Sequence, residues 1–180
     1  MEIFRLKTTV SDPDALIQIE KHEDVFRVVD GWRPGDSIVG DWRVKAVAKS
    51  GYTMDRLLSV DYLDSMPTYP IFSAKFVERI GDWLVGDMSF VPVDVVCGSE
   101  VIVFYLGIVK RRVELIDRVR SEFRVLGGAK IPWKIVVSAP AFGGSLIAKD
   151  CDYSGFYVTG TFRRIVEEND LAVGFVRVAS

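Results

Sequence analysis

The sequence predicts an α+β fold, mostly antiparallel sheet, that contains two copies of a helix-turn-strand unit. Three observations lead there. Short runs with apolar residues at every second position, the period of a half-buried strand, lie between glycine, proline and aspartate turn signals. Two longer apolar runs, MSFVPVDVV from Met88 and VIVFYLGIV from Val101, have the length of buried strands. A segment near the middle of the chain is echoed close to its C-terminus.

Taken in order, the first third is cut by Asp12-Pro13, Asp30-Gly31, Arg33-Pro34-Gly35-Asp36, Gly40-Asp41 and Ser50-Gly51. Between these turns VFRVV (Val25 to Val29) and WRVKAVA (Trp42 to Ala48) alternate as strands do, and an antiparallel arrangement is the natural reading. LLSVDYL (Leu57 to Leu63) is a third strand candidate, although MDRLL before it equally suits a short helix. In the repeat, Ser73-Ala74-Lys75-Phe76-Val77-Glu78-Arg79-Ile80 precedes Phe90-Val91-Pro92-Val93. Thr159-Gly160-Thr161-Phe162-Arg163-Arg164-Ile165-Val166 likewise precedes Phe175-Val176-Arg177-Val178. Ser73 and Thr159 are expected N-caps, because a hydroxyl there accepts from orphan amides of the first turn. Phe76, Val77 and Ile80, and Phe162, Ile165 and Val166, then form one apolar stripe on each helix. Helices are expected over Ser73 to Trp83 and Thr159 to Asn169, ended by Gly81-Asp82 and Asn169-Asp170 and each followed by a strand. The copies span about 71–93 and 157–178, so residues 1–180 read as a single domain with two related halves.

Between the copies, WKIVVSA (Trp133 to Ala139) is a further strand candidate, flanked by the turn signals Gly127-Gly128 and Gly143-Gly144. Pro92 belongs at a strand edge or start, since it cannot donate to a ladder. Val113 to Phe123 stays open: its spacing suits a helix and its β-branched content a strand. Trp83 and Trp133 sit in periodic segments and are expected in the core. Cys97 and Cys151 are expected to be small core residues of a reducing compartment.

Composition excludes more than it assigns. The chain has 180 residues, 49% hydrophobic and 27% charged, with a net charge of −2. That balance argues against generic nucleic-acid binding. Two cysteines and one histidine cannot make a disulfide framework or supply the four ligands of a structural zinc, and no metal or cofactor is expected. The start, MEIFRLKTTV, has no secretory-signal pattern, and no apolar run is long enough to span a bilayer as a helix, so a cytoplasmic protein without a membrane partner is expected. Charge is uneven along the chain: acidic residues outnumber basic ones eight to three between Ser11 and Asp41, and the ratio is reversed between Lys110 and Lys134.

Candidate chemistry is sparse. His22 lies in a solvated charge run, Glu20-Lys21-His22-Glu23-Asp24, without an aligned nucleophile. Neither cysteine has a histidine neighbour, and Asp150 and Asp152 would raise the Cys151 thiol rather than activate it. The two glycine pairs lack phosphate-loop spacing. No catalytic residue is assigned. Asp55, Asp61 and Asp64 are the only carboxylates singled out for an acidic cleft, the basis of an alternative reading as an enzyme or small-ligand-binding protein. Trp32 and Trp42 flank an acidic, turn-rich loop and are the best handles for recognition.

The repeated S-x-x-F-x-x-x-[LI] helix with its F-x-P-V strand, together with FYLGIVKRRVELIDRVRSEF (Phe104 to Phe123), resembles a family of bacterial immunity proteins of polymorphic toxin systems, immunity protein family eleven. The resemblance covers roughly Ile71 to Val178. Its V-x-x-[LI]-D element with a serine four residues on is matched by Val113, Ile116, Asp117 and Ser121. Thr159-Gly160 departs from the serine and larger residue more common there, and the first 60 residues match only loosely. The resemblance implies an intracellular antidote that binds a cognate protein toxin by stoichiometric occlusion and carries no catalytic residues. Asp117 and Ser121 are expected to make local turn or cap bonds. Partner contact is expected from Trp32, Asp36, Asp41 and Trp42, where an aromatic anchor and charges combine outside the repeat.

Overall fold

The computed structural model describes residues 1–21, 23, 25–26 and 43–180. Among these the chain runs β1 (Ile3–Lys7), β2 (Ile17–Ile19), β3 (Val44–Ala48), α1 (Met54–Leu58), β4 (Tyr62–Leu63), β5 (Ser65–Met66), β6 (Ile71–Ser73) and α2 (Ala74–Ile80). A 3-10 turn (Gly81–Leu84) leads to β7 (Met88–Cys97), β8 (Glu100–Val109), β9 (Arg112–Val113), β10 (Glu122–Leu126) and β11 (Ala129–Lys134). After a second 3-10 turn (Ala139–Phe142) come β12 (Ile147–Asp150), β13 (Phe156–Thr159), α3 (Gly160–Glu168) and β14 (Gly174–Val178). The fold class is α+β with antiparallel pairing dominant.

The strands form a seven-stranded sheet in the order β4-β6-β8-β7-β3-β2-β5, a five-stranded sheet in the order β14-β1-β13-β12-β9, and the separate pair β10-β11. Strand alternation divides the apolar residues among three cores. Along β7 and β8, Val91, Val93, Val95, Phe104, Leu106 and Ile108 face a core shared with Leu57 of α1. The opposite face of the same sheet meets the five-stranded sheet in a central core, where Phe72 and Met88 lie with Phe4, Leu6, Phe156 and Val158. Both longer helices enter that central core through Phe76 and Ile80 and through Phe162, Ile165 and Val166. The outer face of the five-stranded sheet packs Ile3, Ala148 and Tyr157 on Leu115, Ile116, Val137 and Phe142.

Both helices start as local chemistry dictates. The Ser73 hydroxyl accepts from the Phe76 amide at 3.0 Å, and that of Thr159 from the Phe162 amide at 3.2 Å. At the other end of α3, Lys75 and Arg79 of α2 donate to the carbonyl oxygens of Asp170 and Asn169, at 2.8 and 2.6 Å, placing cations on the negative end of the helix. Strand surroundings are alike too. β6 and β7 run parallel on either side of β8, and β13 and β14 run parallel on either side of β1. Two carboxylates brace the sheets: Asp61 accepts from the Ala172 amide at 2.7 Å and Asp87 from the Leu146 amide at 2.8 Å.

Several expectations from sequence are corrected. The first helix ends at Ile80 and continues only as a 3-10 turn, which leaves Trp83 65% exposed rather than in the core. Trp133 is 54% exposed as well, because the strand it belongs to is Ala129–Lys134, in a hairpin that pairs with no other strand among the described residues. Cys151 is exposed and Cys97 half-buried. Pro92 lies inside β7, where its missing N–H is tolerated because the described ladder with β3 begins one residue later, at Val93. Leu57 to Leu63 divides into the end of α1 and the start of β4. Of Val25 to Val29, only Val25 and Phe26 are described, and they are helical rather than extended. Val113 to Phe123 is neither one helix nor one strand but an end of β9, an isolated bridge from Ile116 to Val137, a turn, and the start of β10.

Candidate functional site

His22 and the four expected partner-contact residues, Trp32, Asp36, Asp41 and Trp42, lie outside the described residues. The three carboxylates of the acidic-cleft reading are described, and the structure gives them separate tasks. Asp55 is exposed on α1, and its backbone oxygen accepts from the Ser59 amide. Asp61 is buried, accepting from the Ser73 hydroxyl, from Lys75 at 3.4 Å and from the Ala172 amide. It therefore ties the cap of α2 to the segment before β14. Asp64 accepts from the Thr8 amide at 3.1 Å and hydrogen-bonds the Tyr62 hydroxyl.

Burial pushes the Asp64 carboxyl above its ordinary value and the neighbouring Tyr52 phenol up to about 12. Because the folded state holds the Asp64 proton more tightly than the unfolded chain, this group favours folding most at acid pH and loses that contribution as pH rises through its raised value. Asp64→Asn removes the titration. Its melting temperature relative to wild type is expected to shift in the variant's favour between pH 3 and pH 7, and a difference independent of pH, followed by circular dichroism, contradicts this.

Asp150, at the end of β12, was not singled out from sequence. It is 2% exposed, and its two oxygens accept from four backbone amides: Leu115 and Ile116 at 2.9 Å each, Asp152 at 2.9 Å and Tyr153 at 3.0 Å. The carboxylate thus fixes the 150s turn against the segment that follows β9. Beyond that turn, Pro67, Tyr69, Arg112, Lys149, Tyr153 and Phe26 line an open cleft of about 410 Å³. Glu114, Cys151 and Asp152 converge nearby with ligand-type atoms within 4.8 Å of one another, but Arg118 pairs with both carboxylates and places its own cation there.

Asp117 and Ser121 have distinct roles. Asp117 accepts from the amides of Val119 and Arg120 at 3.0 Å each, the expected local turn, and the Arg120 guanidinium holds its carboxyl below the usual range. Ser121 is instead long-range: its hydroxyl accepts from the Val136 amide at 2.9 Å and donates to the Val136 oxygen, which also accepts from the Asp117 amide. Together the two residues clamp Val136 beside its bridge to Ala179.

Exposed apolar side chains are spread over the described residues, Leu58, Trp83 and Val85 among them, and one group of them lies at and after this clamp. Val119, Val125 and Leu126 are exposed, as are Ile131 and Trp133 across the β10-β11 hairpin. Gly127 and Gly128 form its two-residue turn with φ of +58° and +82°, the left-handed pair that a tight hairpin of this hand requires. Basic groups lie on the same hairpin. The Arg124 guanidinium sits 3.3 Å above the Trp133 ring and Lys130 4.7 Å from the Phe123 ring centre. This arrangement suits recognition of a surface better than chemistry on a small molecule. No family model matches the chain, and no curated protein matches it. No described helix is long and apolar enough to cross a membrane.

Proposed function

We propose that this chain is an immunity protein, a cytoplasmic antidote that binds a cognate protein toxin of its own bacterium and neutralises it by stoichiometric occlusion, without catalysis of its own. What the reading rests on is the sequence resemblance over Ile71 to Val178, and several of the residues that carry it have structural tasks in this fold. Ser73 and Thr159 cap the helices, Phe76 and Phe162 meet at 6.3 Å in the central core, and Asp117 and Ser121 clamp Val136. The apolar and basic β10-β11 hairpin supports it further, since exposed patches of this kind mark protein contacts.

The two strand-helix-strand passages belong to the same proposal, as one unit used twice. What supports this is that β6-β8-β7 and β13-β1-β14 share one strand order and direction. Phe76 meets Phe90 edge-on at 6.4 Å and 65°, and Phe162 meets Phe175 at 6.5 Å and 70°. Asp87 and Ala172, each three residues before the second Phe of its copy, bond Leu146 and Asp61, the residues just before β12 and β4, strands that pair with β13 and β6.

The product of the gene beside this chain's own is taken as the candidate toxin to test. Co-expression is expected to restore growth of cells making that toxin. Trp32→Ala and Trp42→Ala, with acidic Asp36 and Asp41 between them, are each expected to weaken protection by at least about tenfold in toxin dose, as loss of a central aromatic anchor does. Folded variants that protect as well as wild type place the contact elsewhere, and a wild type that never protects removes the antidote reading.

A further inference from the structure

We infer that the β10-β11 hairpin is a docking surface for an acidic protein partner, which, resting on the antidote reading, is the toxin itself. Its two strands pair only with each other among the described residues, in the register Leu126 with Ala129, Val125 with Lys130 and Arg124 with Ile131. One side is accounted for: Phe123 packs against the outer core, with its ring 6.0 Å from that of Tyr153. Alternation sends Arg124, Leu126 and Ile131 to the other side, while Val125 and Lys130 share the side of Phe123 but lie nearer the tip, where Val125 and Leu126 are 75% and 71% exposed. A two-stranded ribbon gains little by itself from presenting such residues to water, so their burial has to come from another surface.

Charge states the chemistry of that surface. Of the five cations between Arg118 and Lys134, Arg118 pairs with Glu114 and Asp152, Arg120 with Asp117 and Lys134 with Glu122, which leaves Arg124 and Lys130 as the hairpin cations that pair with no carboxylate among the described residues. An apolar hairpin tip that carries these two cations is complementary to an apolar patch with Asp or Glu beside it. A polynucleotide fits less well. Val125, Leu126 and Ile131 have nothing to meet on a phosphate backbone, and Arg124 already covers the face of Trp133 on which a base would stack.

The test uses the full chain and the product of the gene beside its own, taken as the candidate toxin and catalytically silenced, with binding kinetics at several salt concentrations. Arg124→Glu with Lys130→Glu is expected to slow association at least about tenfold at low salt and to flatten its salt dependence, an effect a purely structural role would not produce. Val125→Ser with Leu126→Ser is expected to speed dissociation at least about tenfold with the melting temperature unchanged, since both side chains are exposed. Wild type that binds while both double variants match it overturns the hairpin assignment and leaves the antidote reading standing. Wild type that does not bind overturns both. A duplex oligonucleotide bound by wild type and lost in the charge-reversed variant overturns the protein partner in favour of nucleic acid.

Discussion

Asp150→Ala lowers the stability of this protein by at least about 3 kcal/mol, because a buried carboxylate leaves and up to four amides lose their acceptor at once, each costing about 1–3 kcal/mol when it stays dry. Asn does not rescue it. An amide side chain supplies one oxygen to the amides on one side and turns its own N–H groups toward the amides on the other. For a chain of this size that loss corresponds to a melting temperature lower by roughly 10 °C. The outer core is expected to suffer first, with Leu115, Ile116 and Tyr153 gaining hydrogen exchange ahead of the central core. A thermal shift within about 2 °C of wild type would show that solvent replaces the carboxylate readily.

Phe76→Ala has a comparable expected cost, about 3–5 kcal/mol, the range for removing a fully buried aromatic ring. Phe76 is completely buried, stacks on Phe72 at 4.0 Å, and contacts Phe90 and Phe162 edge-on or tilted. Its loss opens a void at the point where both helices and both sheets meet. Trp83→Ala, three residues past the same helix and exposed, is the matched control and is expected to change stability by less than about 0.5 kcal/mol. Denaturant unfolding of both variants checks the contrast, and equal effects would contradict the packing described above.

Those two tryptophan and phenylalanine positions show what the sequence discloses. Ser73, Thr159 and the stripes that follow were legible because capping and helix period act over three or four residues. The strands at Met88–Cys97 and Glu100–Val109 were legible because each is a long apolar run, although Val101 and Val103 of the second turn out exposed. Periodicity names the face of an element but not whether another layer covers it. Trp133 therefore looked like core, while its hairpin stands with one side uncovered. Val113 to Phe123 was ambiguous for a related reason. Its course is set by pairing with Val136 and Val137 and by the Asp150 carboxylate, all far along the chain. The hub at Asp150 has its first partners 35 and 34 residues away, so no local pattern announces it. Nor could spacing show that Asp61 and Asp64, three residues apart, serve different partners. The glycine pair between EFRVL and AKIPWK was a turn signal in the sequence; the hairpin it closes and the exposure of that hairpin came only with the structure.

The central claim is neutralisation by occlusion, and a titration of the toxin's own activity against the purified chain tests it most directly. Activity is predicted to fall linearly and to reach zero at molar equivalence, with intact toxin recovered from the complex after denaturation. Complete loss of activity at a small fraction of equivalence, or recovery of a covalently altered toxin, would contradict the account and identify the chain as an enzyme acting on its partner.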